Sequence, residues 1–158
     1  MISSIRQKLA EIGKTTCESQ VLVAQEKSRG VKLTPSSNGK ALKIKVDDCL
    51  IKDTQRCDCL YFYQQSKSKR HAFLVELKGN NYTHALEQLE STKNHPNYVG
   101  IATVAKPLKE WAVAIVSEKA KTNRPKKEEW EDANKVRLRV IPVKDDEIFD
   151  LSELTKPL

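Results

Sequence analysis

Apolar residues along this chain change their spacing several times, and each change marks an element. Ile5, Leu9 and Ile12 recur at three- and four-residue intervals, the period of a helix face. Beyond Gly13 a second stripe of Cys17, Val21, Leu22 and Ala24 continues as far as Lys27. The spacing predicts two helical pieces, or one helix bent at Gly13, with Glu18 and Glu26 on the second. Residues 30–39 carry the Gly, Pro, Ser and Asn of a loop. The period then drops to two, as Leu42, Ile44 and Val46 alternate with Lys43 and Lys45 in a half-buried strand. Residues 57–63 and 71–78 read as two more strands, joined by the polar connection 64–69, so the three strands form an antiparallel meander.

The 79–81 turn stops the last of these strands, and Asn81 is a suitable N-cap for a helix from Tyr82 to about Lys93 with Ala85, Leu86 and Leu89 on its apolar stripe. Two continuous apolar runs follow, residues 98–105 and 111–117, which suit central strands covered on both faces. A strand, helix, strand order points to a crossover that leaves its two strands parallel. Residues 125–134 read as a charged helix around Trp130. Residues 136–143 read as an edge strand because of Pro142, and Ile148, Phe149, Leu151 and Leu154 form a closing apolar clip. The expected fold is α/β, a mixed central sheet flanked by helices, in a single domain spanning residues 1–158.

Composition adds a compartment and a partner. No signal segment or membrane span is visible, since the longest apolar run is far too short to cross a bilayer. Four cysteines in 158 residues are too few for a disulfide scaffold, and Cys57 and Cys59 read as buried thiols rather than metal ligands. The expected location is intracellular and cytoplasmic, with no membrane association. Net charge is +7, and Lys/Arg cluster at residues 27–45 (including Lys43 and Lys45), at Lys67, Lys69 and Arg70, and at residues 119–127. Such a field concentrates a polyanion, nucleic acid before all others.

Glu76 and Lys78 end the most apolar strand of the first half, and residues two apart on a strand share a face. Asp58 opens the neighbouring strand, so a hairpin brings Asp58 and Glu76 to one end of the sheet. Converging carboxylates repel unless a cation lies between them. Mg²⁺ prefers one or two carboxylates with water and phosphate oxygens, which is what metal-dependent phosphodiester cleavage uses. Lys78 would orient or deprotonate the attacking water.

These residues resemble the PD-(D/E)XK nuclease superfamily, the restriction-endonuclease-like and Holliday-junction-resolvase-like enzymes. The matching stretch is Cys57-Asp58, a hairpin, Glu76-Leu77-Lys78-Gly79, then a helix containing Gln88. The resemblance implies a restriction-endonuclease-like core, Asp58 and Glu76 as ligands of Mg²⁺ or Mn²⁺, and Lys78 as the catalytic amine. It also implies an accessory glutamate on the first helix, Glu18 in preference to Glu26, and a polar contribution from Gln88. Two positions depart from the pattern: Cys57 replaces the proline, and Thr92 stands where one large branch has tyrosine. The expected activity is Mg²⁺-dependent hydrolysis of DNA, with Lys43, Lys45, Lys67, Lys69 and Arg70 as nucleic-acid contacts. A homodimer or a partner protein would supply specificity. The competing readings are a nuclease fold kept only as a nucleic-acid-binding or regulatory subunit, and a basic surface that meets an acidic protein.

Overall fold

In the computed structural model the chain runs through α1 (Ile2–Glu11), a 3₁₀ turn (Thr15–Cys17), β1 (Glu18–Ser19), β2 (Val23–Glu26), β3 (Arg29–Lys32), β4 (Lys40–Lys45), β5 (Cys59–Gln64), β6 (Arg70–Leu77), α2 (Tyr82–Asn94), α3 (Pro96–Ala105), β7 (Lys109–Ser117), α4 (Arg124–Asn134), β8 (Arg137–Val143), β9 (Ile148–Asp150) and a closing 3₁₀ helix (Leu151–Thr155). The structure describes residues 1–26, 29–77, 81–120 and 122–157. Among these, one mixed sheet has the order β1-β4-β5-β6-β7-β8 and a smaller one the order β2-β3-β9. The β4, β5 and β6 strands form the expected antiparallel meander, with Ile44 opposite Leu60 and Cys59 opposite Val75. β6, β7 and β8 are parallel neighbours, so the link from β6 to β7 has to cross over the sheet.

That crossover is made of two helices, which corrects the reading of residues 98–105 as a strand. Pro96 sits in the first turn of α3, and the His95 side chain caps it by accepting the Asn97 N–H at 3.0 Å. The buried residues Tyr98, Ile101, Ala102 and Ala105 keep helical spacing. Their periodicity is masked in the sequence because the outward positions Val99 and Val104, 46% and 40% exposed, are apolar as well. The parallel partner of β6 is therefore β7. The second helical piece expected after Gly13 is also absent. Gly13 adopts φ +71°, ending the helix, only a short 3₁₀ turn follows at Thr15–Cys17, and Val21 and Val23 are β-branched residues that favour extended backbone. Glu18 and Glu26 consequently lie on β1 and β2, and the expected loop at residues 30–39 begins inside β3.

The sheet separates two cores. The buried residues of α1, α2, α3 and α4 pack on one face against Leu42, Ile44, Leu60, Phe62 and Leu74. The other face, with Tyr61, Tyr63, Phe73, Val75 and Trp111, is covered by Val31 and Leu33 of the small sheet and by Leu151. Helices thus cover one side only. A disulfide joins Cys17 of the 3₁₀ turn to Cys49 in the β4–β5 connection. The cysteine count points to a reducing compartment, and this pairing points the other way. No helix among the described residues is long and apolar enough to cross a membrane.

Under the small sheet runs a ladder of stacked rings, Tyr63, His71, Phe73 and Trp111. His71 Nδ1 accepts the Trp111 indole N–H at 3.3 Å, while Nε2 lies 3.3 Å from Gln65 Oε1. Both contacts suit the neutral ring protonated at Nε2. Burial, then the charges of Lys109 and Lys69, lower its pKa from 6.5 to about 4.

Two outcomes follow. Val99→Lys and Val104→Lys should each change stability by no more than about 0.5 kcal/mol, whereas Ile101→Ala should cost about 2–5 kcal/mol in urea unfolding. A central strand covered on both faces would instead bury both valines. Because the unfolded chain binds the His71 proton more tightly than the folded one, stability should fall as pH drops from about 6.5 to about 4. Denaturation midpoints of His71→Gln across that window should show a shallower decline than the parent.

Candidate active site

The backbone departs from regular pairing just where Asp58 stands. Its carbonyl accepts from two consecutive amides, Val46 at 3.1 Å and Asp47 at 3.3 Å, while its own N–H donates to Val75 O at 3.0 Å. Two donors on one carbonyl is the sign of an extra residue in the ladder, a bulge that re-aims neighbouring side chains. The displacement is visible in the cysteines on either side. Cys57 belongs to the helix-side core and Cys59 to the opposite one, although regular alternation would put both on one face. Asp58 Oδ2 accepts the Leu77 N–H at 2.6 Å, and Oδ1 has no hydrogen-bond partner among the described residues.

Leu77 follows Glu76, so the Asp58 carboxylate is held one peptide away from it. Alternation along β6 puts Glu76 on the face of Ala72 and Leu74, where it is 1% exposed. The electrostatics of Cys57 place both acids near its thiol. Burial raises that pKa well above its ordinary value, a Thr92 hydrogen bond offsets part of this, and Cys59, Glu76 and Asp58 add to the rise. Burial and then the Asp58 charge likewise push the Cys59 thiol up to about 12. Both thiols are free and inert at neutral pH.

The crossover helix is fastened to the same point. Thr92, fully buried, accepts the Cys57 N–H at 2.8 Å and donates to Gln88 O at 2.9 Å. Thr92 thus has a structural role, tying α2 to the residue before Asp58. Gln88 is half-buried, and its buried Oε1 accepts no hydrogen bond from the described residues. Lys78 lies outside the described residues.

On the small-sheet side, Asp58 and Leu77 line a cleft of about 510 Å³ with Glu26, Lys43, Lys45 and Asp47. Glu26, on β2, opens into this cleft. Glu18 does not line it, and Arg6 holds its carboxylate at 2.9 to 3.2 Å with Gln20 adding a further donor. Lys43 Nζ donates to Val23 O at 2.8 Å and so pins β2 over the cleft, while Lys45 is exposed. Asp47 is taken by Arg56 at 2.9 Å. Lys67, Lys69 and Arg70 lie at the β5–β6 turn, the far end of the hairpin from Asp58, roughly 20–25 Å away at strand rise. In the third basic stretch, Arg124 and Lys127 are paired with Glu128 and Glu131 along α4. Nothing in the local sequence marks Thr92 as a contact to Cys57 or Asp47 as a residue of the cleft; the backbone pairing at Asp58 brings Asp47 there.

No group of three or more His, Cys, Asp and Glu side chains able to hold a metal occurs among the described residues. The oxygens of Asp58, Glu76 and Gln88 are of the kind a hard cation takes, but of the three only Asp58 lines the cleft, while Glu76 is buried on the helix-side face. Mg²⁺ needs only one or two protein carboxylates. Set against family models, curated proteins and solved structures, the chain matches none.

Thr92→Val keeps the shape and removes the hydroxyl, leaving the buried Cys57 N–H without a partner. A loss of about 1–3 kcal/mol is expected in chemical denaturation. Thr92→Ser should recover most of it; equal losses in both variants would show that the methyl, not the hydroxyl, matters.

Proposed function

We propose that this chain is a metal-dependent endonuclease of the PD-(D/E)XK kind, hydrolysing DNA phosphodiester bonds on a restriction-endonuclease-like core. The observation that carries the reading is the Asp58–Leu77 hydrogen bond, which holds the first acid one peptide from the Glu76-Leu77-Lys78 motif. The element order supports it: α1, the β4–β6 meander, the α2–α3 crossover and the parallel β7.

Asp58 and Glu76 would hold Mg²⁺ or Mn²⁺, with Gln88 available to orient a water. Bound there, the ion would acidify a water and offset charge on the scissile phosphate. Asp58 keeps its orientation through the Leu77 amide, which leaves Oδ1 as its available oxygen. Lys78, two residues beyond Glu76, would position the attacking water and take its proton. Lys45 stands at the cleft, where a flanking phosphate would pass. Water adds to phosphorus, one P–O bond breaks, and the products are a phosphate monoester and a hydroxyl. Glu26 replaces Glu18 as the accessory acid, because Glu18 is bound by Arg6.

Purified protein should nick or cut plasmid DNA with Mg²⁺ or Mn²⁺ and lose the activity in chelator. Asp58→Asn, Glu76→Gln and Lys78→Met should each lower the rate by at least about 10²-fold without unfolding the chain. Folded protein inactive with both metals on duplex, single-stranded and branched DNA would sink the reading. One observation favours the alternative of a non-cleaving nucleic-acid-binding subunit: Glu76 is almost wholly shielded from solvent. That reading requires DNA binding indifferent to metal and to Asp58→Asn, with no cleavage.

A further inference from the structure

At the opposite end of the same sheet face lies a second cavity, of about 680 Å³, between the β5–β6 turn, the starts of β7 and β8, and the closing 3₁₀ helix. Six cations line it, Lys69, Arg70, Lys109, Arg137, Arg139 and Lys156, against one acid, Glu153. Glu153 is already paired with Lys156 at 2.7 Å. Lys69, Lys109, Arg137 and Arg139 form no ion pair among the described residues. Lysines elsewhere on the surface also go unpaired, but here four cations without an ion pair share one concavity.

The cations are also held in place. Trp111 forms the floor, with Lys109 Nζ 4.6 Å and Arg137 5.9 Å from its ring centroid, so its negative face steadies two charges that would otherwise repel each other apart. His71 fixes the indole from behind through the 3.3 Å hydrogen bond. Arg70 Nη1 is anchored on Lys106 O at 3.1 Å, and its Nε is buried with no hydrogen-bond partner. The ring itself is 3% exposed and capped by cations, so it offers no stacking platform for a base.

We infer that this cavity binds the phosphate backbone of a nucleic acid, as a holding site separate from the Asp58 cleft. Six cations exceed what a lone phosphate, with at most two charges, would use, whereas successive backbone phosphates match them. The exposed Lys67 on the adjoining turn extends the same field. The inference rests on the nucleic-acid part of the proposed function, but not on cleavage.

The test is binding of a labelled DNA duplex, and of the RNA duplex of the same sequence, to the full chain in chelator across a salt series. Arg137→Gln/Arg139→Gln should raise Kd at least about tenfold for DNA, RNA or both, and lower the salt slope by about 2. Lys52→Gln/Lys144→Gln, exposed lysines outside the cavity, should change Kd less than about twofold. Lys109→Gln provides an independent loss if the arginine pair perturbs folding, and thermal melts check each variant. Unchanged affinity and slope in the cavity variants would overturn the inference, as would equal losses in the control pair, or a cavity that takes up inorganic phosphate and neither nucleic acid. The two proposals separate cleanly. Loss of binding in the cavity variants with a parent that cuts nothing leaves the cavity standing and removes the nuclease; unaltered binding with active cleavage does the reverse.

Discussion

Where β5 begins, the Asp58 carbonyl serves two amides of one neighbouring segment, and its carboxylate serves the Leu77 amide of the strand on the other side. At the end of β6 the Leu77 N–H is met by a side chain rather than a backbone carbonyl, and N–H groups away from water are rarely left unpaired. A hydrogen bond to a charged acceptor is worth about 1.5–3 kcal/mol, so an aspartate there closes the sheet more firmly than a neutral residue could. Asp58 is thus held at its carbonyl by two amides and at its carboxylate by one. The same geometry that completes the sheet fixes the orientation of its side chain.

The crossover helix depends on this point too. Thr92 reaches from α2 to the Cys57 amide, so the helix behind β6 and the strand end that bears Asp58 are positioned together. Moving either would break a buried hydrogen bond in the other. Cys57 and Cys59 sit on opposite faces as packing groups, and their raised pKa values remove them from any thiolate chemistry. The oxygen donors at this end include Asp58, Glu76, Gln88 and Glu26, with Asp47 taken by Arg56.

How much of this was legible can be argued residue by residue. The meander was, because Leu42, Ile44 and Val46 alternate with lysines, and so was the Asn81 cap of α2. The α3 helix was not, because Val99 and Val104 make its solvent side as apolar as its core side, erasing the period that separates helix from strand. The β1–β2 segment failed for the converse reason: Cys17, Val21 and Ala24 happen to keep helical spacing while the chain is extended and Val21 is 62% exposed. At the candidate site, the motif singles out Asp58 and Glu76, and the structure adds the hydrogen bond from Leu77 N–H to Asp58. The bulge, the Arg6–Glu18 pairing and the Cys17–Cys49 bond could not, since each joins elements whose proximity exists only after folding. The cavity around Trp111 was equally hidden, its cations coming from four separated stretches.

The separation of acids and cations has its own physical logic. Arginines gathered beside Asp58 and Glu76 would pair with them and occupy the oxygens a cation needs, as Arg6 does with Glu18. At roughly 20–25 Å along the strands, well beyond the Debye length of about 8 Å at physiological salt, the two ends are electrostatically independent. Each keeps its own charge: one end acidic and small, the other cationic and broad. A single nucleotide cannot reach both. At about 3.4 Å of axial rise per step, a duplex meeting the cleft and the cavity together must extend over some six or seven base pairs. Under the proposed reading, a polymer rather than a single nucleotide would use the whole face, and a short oligonucleotide would meet one end without reaching the other.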